Sequence, residues 1–187
     1  MAIKIYIDQG HNPQNPNAGA EGNGLREQDI VFKIGILLAD LLRENPAFEV
    51  RLSRPNAETQ IGTSNTTSLR ERVADANAWG ADYFLSLHTN ASEISSASGV
   101  EAFAFSKESP AFALGEDILQ ALSASTGLRN RGMQVRSGLY VVRKTAMPSL
   151  LIELGFISNP NDARLMSQQP ELFANGIYNG ILDYFDL

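Results

Sequence analysis

The chain predicts an α/β fold: a three-layer single domain, with helices on both faces of a largely parallel or mixed six-stranded twisted sheet. Three observations carry this. Six short runs are rich in Ile, Val, Leu, Phe and Tyr; longer segments with helical spacing lie between or after them; and the composition is that of one globular core. The 187 residues are 43% apolar and 19% charged, within the range of a single folded domain spanning 1–187.

The strand signals fall at Ile3 to Asp8, Phe48 to Ser53, Tyr83 to His88, Val100 to Phe105, Leu139 to Arg143 and Leu150 to Leu154. The first helix is expected from Glu27 to Glu44, where Ile30, Ile34, Leu37, Leu38, Leu41 and Leu42 recur at helical spacing. A second starts at Ser68-Leu69-Arg70-Glu71, which reads as a capping box, and ends near Gly80. A third begins at Ser109-Pro110, a cap followed by proline at the first helical position, and stops at Gly127. Two more are expected around Asn161 to Ser167 and Pro170 to Tyr184, the latter with Phe173, Ile177 and Ile181 on one stripe.

Composition excludes several functional classes. The net charge of −6 argues against general nucleic-acid binding. No apolar run approaches the ~20 residues of a membrane-spanning helix. With no cysteine there is no thiolate-ligated metal, cysteine nucleophile or disulfide. Met1-Ala2 leads directly into the first strand, without a basic region, an apolar stretch or a cleavage site. The expectation is a protein made without a signal, or a catalytic domain cut from a longer chain. One basic cluster stands out: Arg129, Arg131, Arg136, Arg143 and Lys144. It reads as a solvated face or as a patch for an anionic substrate or partner.

The chain has two histidines, and each closes a strand signal. His11 follows Asp8-Gln9-Gly10, and His88 ends the run from Asp82 to Leu87. Parallel strands joined by right-handed crossovers align their carboxyl ends, where α/β sites collect, so the two imidazoles should meet there. Imidazole is the commonest metal ligand among side chains. A catalytic zinc site usually has three protein ligands, and Glu27 is the best third candidate. It shares the apolar face of the first helix with Ile30, Ile34, Leu38 and Leu41, so its carboxylate points toward the sheet. An acid in a first turn is also favoured by the helix dipole, but a solvent-facing acid would serve that purpose equally well. Glu21, on a glycine-rich loop, is the runner-up. Glu153 is embedded between Leu150-Leu151-Ile152 and Leu154-Gly155-Phe156-Ile157, and an isolated buried carboxylate is costly. Beside an activated water it could act as general base and then general acid. Glu101 is a weaker candidate, expected to point outward from its strand.

Four stretches in this order carry a family resemblance: Ile5-Tyr6-Ile7-Asp8-Gln9-Gly10-His11, Gly24-Leu25-Arg26-Glu27, Ser86-Leu87-His88-Thr89-Asn90-Ala91, and Ile152-Glu153-Leu154-Gly155-Phe156-Ile157-Ser158-Asn159. They resemble zinc-dependent N-acetylmuramoyl-L-alanine amidases, the cell-wall hydrolases of autolysin and endolysin type. The likeness covers essentially the whole chain, including Leu69-Arg70-Glu71-Arg72 and Ala76-Asn77. It implies one Zn2+ held by His11, Glu27 and His88, with Glu153 as catalytic acid/base. It further implies a monomer acting on peptidoglycan or muropeptides, on the extracellular or periplasmic side, by hydrolysis of the amide joining the N-acetylmuramic acid lactyl group to L-alanine. Two alternatives stay open: a zinc amidase or peptidase on soluble muropeptides, and a non-catalytic wall-binding domain of the same fold. The chain departs from the family pattern around His11, where Gln9 precedes the Gly-His pair and Asn12-Pro13-Gln14-Asn15-Pro16 follows it. That leaves the shape of one cleft wall open.

Overall fold

Residues Ala2–Leu187 are described by a computed structural model. In chain order the elements are β1 (Ile3–Gln9), β2 (Glu21–Gly22), β3 (Leu25–Arg26), α1 (Glu27–Glu44), β4 (Phe48–Leu52), α2 (Asn65–Trp79) and β5 (Tyr83–Asn90). There follow β6 (Val100–Ala104), α3 (Pro110–Thr126), β7 (Asn130–Val135), α4 (Tyr140–Lys144), β8 (Ser149–Phe156), α5 (Pro160–Gln168) and α6 (Pro170–Phe185). The main sheet has six strands in the order β4-β1-β5-β8-β6-β7. All neighbours are parallel except β6 and β8, which run antiparallel. The mixed α/β architecture expected from the sequence is therefore the one observed.

Side chains alternate across a strand, so each strand divides its residues between two faces. One face carries Ile5, Ile7, Leu85, Leu87, Leu150, Ile152 and Leu154 into the larger core, beneath α1, α3, α5 and α6. At 25–30 cal/mol per Å² of apolar surface removed from water, this layer supplies most of the burial energy. Helices α3 and α6 approach closely because Gly180 has no side chain; a Cβ there would lie 2.4 Å from the Ile118 backbone. The other face carries Tyr6, Phe84, Phe103 and Leu151 into a smaller core, covered by α2 and α4.

The sequence misreads two elements and shifts a third. Leu139 to Arg143, expected as a strand, forms the short helix α4. Its adjacent Val141 and Val142 are both buried against the smaller core. Tertiary packing overrides their β-propensity. The sixth strand is instead β7, with four of its six residues exposed. It is an edge strand recruited through hydrogen bonding to β6, so no apolar alternation announces it. Helix α2 begins earlier than expected: Ser64 is its cap and forms the capping box with Thr67. Ser68 lies buried inside the helix and accepts hydrogen bonds from Arg72 and Asn17. By contrast, α1 and α3 keep the expected ends, α3 capped by Ser109 and closed at Gly127.

Candidate metal centre and cleft

Three carboxyl-terminal strand ends and one helix start converge on the smaller-core face. Strands β1 and β5 are parallel neighbours, with Asp8 opposite Ser86. This brings the segment after β1 beside His88 near the end of β5. Gly10 is required by the closeness of that approach: a Cβ there would sit 2.5 Å from His88 Cε1 and 2.6 Å from the Leu87 carbonyl oxygen. The next residue, His11, takes a left-handed backbone with φ of 65°, sparsely populated by non-glycine residues. Arg72 holds it there. Its guanidinium donates to the Gln9 carbonyl at 2.7 Å, the His11 carbonyl at 2.5 Å, the Asn12 side-chain oxygen at 3.1 Å and Asp8 at 2.5 Å.

Glu27 is the first residue of α1, and its side chain is buried beneath the two imidazoles. Its Oε1 lies 3.2 Å from His11 Nε2 and 3.1 Å from His88 Nδ1, and accepts from the Thr89 backbone N–H at 2.9 Å. Its Oε2 accepts from the Ala20 N–H at 2.9 Å. Burial alone would raise this carboxyl, yet the hydrogen bonds and charge of His11 and His88 hold it well below the usual carboxylate range. The same contact raises the His88 imidazole despite its burial. One ligand atom from each of His11, Glu27 and His88 lies within 4.8 Å of the other two. The donor set, two imidazoles and one carboxylate, matches a catalytic zinc site. His11 Nδ1 is enclosed without a hydrogen-bond partner among the described residues. These three residues could hold a metal ion.

Glu153 stands beside this group. In the β5–β8 register it is opposite His88, and in the β6–β8 register it is opposite Glu101. Burial, reinforced by the charges of Glu27 and Glu101 and opposed by those of His88 and Arg136, raises its carboxyl from 4.5 to about 7. Its Oε2 is buried and has no hydrogen-bond partner among the described residues. Glu101, expected to point outward, is instead buried on the same face. It accepts from Asn90 at 2.6 Å, Gln134 at 3.0 Å and Arg131 at 3.4 Å. Those donors replace water, which is why a mid-strand acid can be buried there. Glu21 is exposed on β2 and is not part of the His–Glu–His group.

A cleft of about 250 Å³ opens from His11 and His88 along the smaller-core face, with apolar walls that include Leu69, Tyr140, Val141 and Leu151. The wall whose shape the sequence left open is fixed by Asn12. This buried side chain donates to the Pro16 and Ile61 carbonyls at 2.8 and 2.9 Å and accepts from the Ile61 N–H at 3.1 Å. Sequence reasoning missed both Asn12 and Arg72 as site-building residues. A signal for Arg72 existed: it shares the apolar stripe of α2 with Leu69, Val73 and Ala76, the same argument that selects Glu27 on α1.

The fold and site define an α/β protein with a candidate metal centre at the carboxyl ends of parallel strands and a buried carboxyl of raised pKa beside it. A family model described as N-acetylmuramoyl-L-alanine amidase matches residues 5–183, and the chain belongs to that family. It is 34% identical to the N-acetylmuramoyl-L-alanine amidase CwlM of Bacillus licheniformis, across 99% of this chain and 70% of that protein. It is 36% identical to the amidase LytC of Bacillus subtilis (strain 168), across 97% of this chain and 35% of that longer protein. The crystal structure of N-acetylmuramoyl-L-alanine amidase from Clostridium difficile 630 superposes with a TM-score of 0.88 at 28% identity, covering 99% and 97% of the two chains.

Proposed function

We propose that the chain, acting as a monomeric catalytic domain on peptidoglycan outside the cytoplasmic membrane, hydrolyses the amide between the N-acetylmuramic acid lactyl group and L-alanine. One zinc ion held by His11, Glu27 and His88 is part of this reading, as is Glu153 in the role of acid and base. The observation that carries it is the placement of Glu153 opposite His88, on the face where both imidazoles and Glu27 converge. The monomer reading rests on all four groups coming from one chain.

Zinc bound there would supply Lewis acidity, lowering the pKa of a bound water from 15.7 to about 7. Glu153 supplies the proton transfers. Burial lifts its carboxyl above the ordinary carboxylate range and so makes it a better proton acceptor, suited to take a proton from water and return it to the departing alanine nitrogen. Its unpartnered Oε2 is the atom free to exchange that proton. Glu27, held ionised by both imidazoles, does not compete for it. The apolar walls of the cleft limit water around the scissile amide.

The test combines metal analysis of the purified protein with release of new amino termini from intact sacculi and from soluble muropeptides, each with and without chelator. One zinc per chain and chelator-sensitive release from sacculi are expected. Glu153→Gln should keep the metal and lose about 10²–10⁴-fold in turnover, whereas His88→Ala should lose both metal and turnover. Absence of metal, or near-normal turnover of Glu153→Gln, would overturn the reading. Release from muropeptides alone would reassign the substrate, and binding without release would indicate a wall-binding domain.

A further inference from the structure

The basic side chains between Arg129 and Lys144 carry out no step of the chemistry above, although the charge of Arg136 reaches the Glu153 carboxyl. Within it Arg131 is already engaged, with Nε 3.4 Å from Glu101 and the guanidinium 5.1 Å from the Phe156 ring centre. Arg136 is not. It is exposed, and its side chain makes no ion pair or hydrogen bond among the described residues. Its guanidinium lies 4.3 Å from the ring centre of Phe103, which is itself buried.

The sheet register places that cation relative to the site. Phe103 is opposite Leu151, and Glu101 is opposite Glu153, so the four side chains share the smaller-core face in two adjacent rows. Rows on one face of a strand are about 7 Å apart. Leu151 lines the cleft together with His11 and His88. Arg136 is also tied to the cleft wall, because the Leu139 N–H donates to its carbonyl at 3.2 Å and Leu139 and Tyr140 line the same cleft. Across the sheet the order is β1, β5, β8, β6: the imidazoles first, then Glu153, then Phe103 with Arg136 above it.

We propose that Arg136 is a substrate-binding residue that pairs with a carboxylate on the peptide half of the substrate. The inference rests on the hydrolase reading and adds a specificity determinant to it. Glu153 returns its proton to the departing amine, so the peptide half leaves on the Glu153 side, and Arg136 lies beyond Glu153 on that side. A peptide presents carboxylates there, and a guanidinium matches a carboxylate through two parallel N–H donors. Stacking on Phe103 holds the group in place before the ligand arrives, which lowers the ordering cost of binding.

The experiment uses two soluble N-acetylmuramoyl peptides, one with free carboxylates and one with every carboxylate amidated. Binding to the zinc-loaded Glu153→Gln chain is measured by calorimetry, with Arg136 intact or replaced. Arg136→Met, which keeps the apolar cover over Phe103, should weaken binding of the free-acid peptide about 10-fold while leaving the amidated peptide unchanged. Arg136→Lys should recover part of the loss, and Arg136→Gln gives an independent uncharged replacement. Equal weakening of both peptides, no weakening, or no binding of the free-acid peptide by the Arg136 chain would overturn the proposal. Failure of the hydrolase reading shows separately, as an intact lactyl–alanine amide after incubation with the unsubstituted zinc-loaded chain.

Discussion

The two faces of the central sheet are built from the same strands and do different work. On one face Leu85, Leu87, Ile152 and Leu154 are buried beneath long helices. On the other, β1, β5 and β8 turn polar toward their carboxyl ends at Asp8, Ser86, His88 and Glu153, and the amino end of the antiparallel β6 adds Glu101 beside them. Alternation lets one strand serve both, since Ile152 and Glu153 are neighbours in sequence and point in opposite directions. The first face is covered by α1, α3, α5 and α6, whereas the second is covered by α2 and α4 and has room for a cleft. A site that must hold donor atoms in place and still admit a substrate therefore belongs on the second face.

The largest test of this contrast is Arg72, 1% exposed and paired with the buried Asp8 beneath the cleft. Burial would raise the Asp8 carboxyl, but Arg72 and the Ser86 hydroxyl hold it below its ordinary value. Arg72→Ala leaves that charge uncompensated and should cost about 3–5 kcal/mol in denaturant melts. It should also weaken zinc binding, because the His11 backbone loses its clamp. Combining Arg72→Met with Asp8→Asn should cost clearly less than the two single changes together. Strict additivity would mean that the pair is not the support described.

Ile152→Ala comes next. On the packed face it should lose about 2–5 kcal/mol by leaving a cavity, while the folded fraction keeps its zinc affinity and turnover per molecule. A drop in zinc affinity at full folding would show that the two faces are not separable.

Glu153→Gln should have the smallest effect on stability, and the opposite sign. In chelated protein the Glu153 carboxyl has a folded value near 7 against 4.5 when unfolded. Between these values the unfolded chain gives up its proton and the folded chain keeps it, so stability falls as pH rises from 4.5 to 7 and then levels. The glutamine variant lacks this loss. At pH 8 it should be more stable than the unsubstituted chain by about 1–3 kcal/mol, with the gap closing toward pH 4.5. A gap independent of pH would remove Glu153 from that role.

Much of this was legible in the order of residues. Ser109-Pro110 and Gly127 mark the ends of α3 because capping chemistry is local. Glu27 stood out because a charge on an apolar helix stripe contradicts its surroundings. The elements that were misread share a cause. Strand β7 has no apolar pattern and exists because the edge of β6 accepts it. Helix α4 carries strand-forming residues that pack better as one helical turn over Leu151 and Phe103. Glu101 looked like a surface acid because Asn90, Arg131 and Gln134, its partners, come from other parts of the chain.

The sequence by itself determined the donor chemistry and the strand alternation that sends His88 and Glu153 to one face, because residue type and a period of two are local properties. Only the tertiary structure decided which buried cation braces His11, which strand closes the sheet, and that Arg136 stacks on Phe103 beside the cleft with no acidic partner among the described residues. Those outcomes depend on what residues far apart in the chain do when brought together, and on which charges find an opposite once they are there.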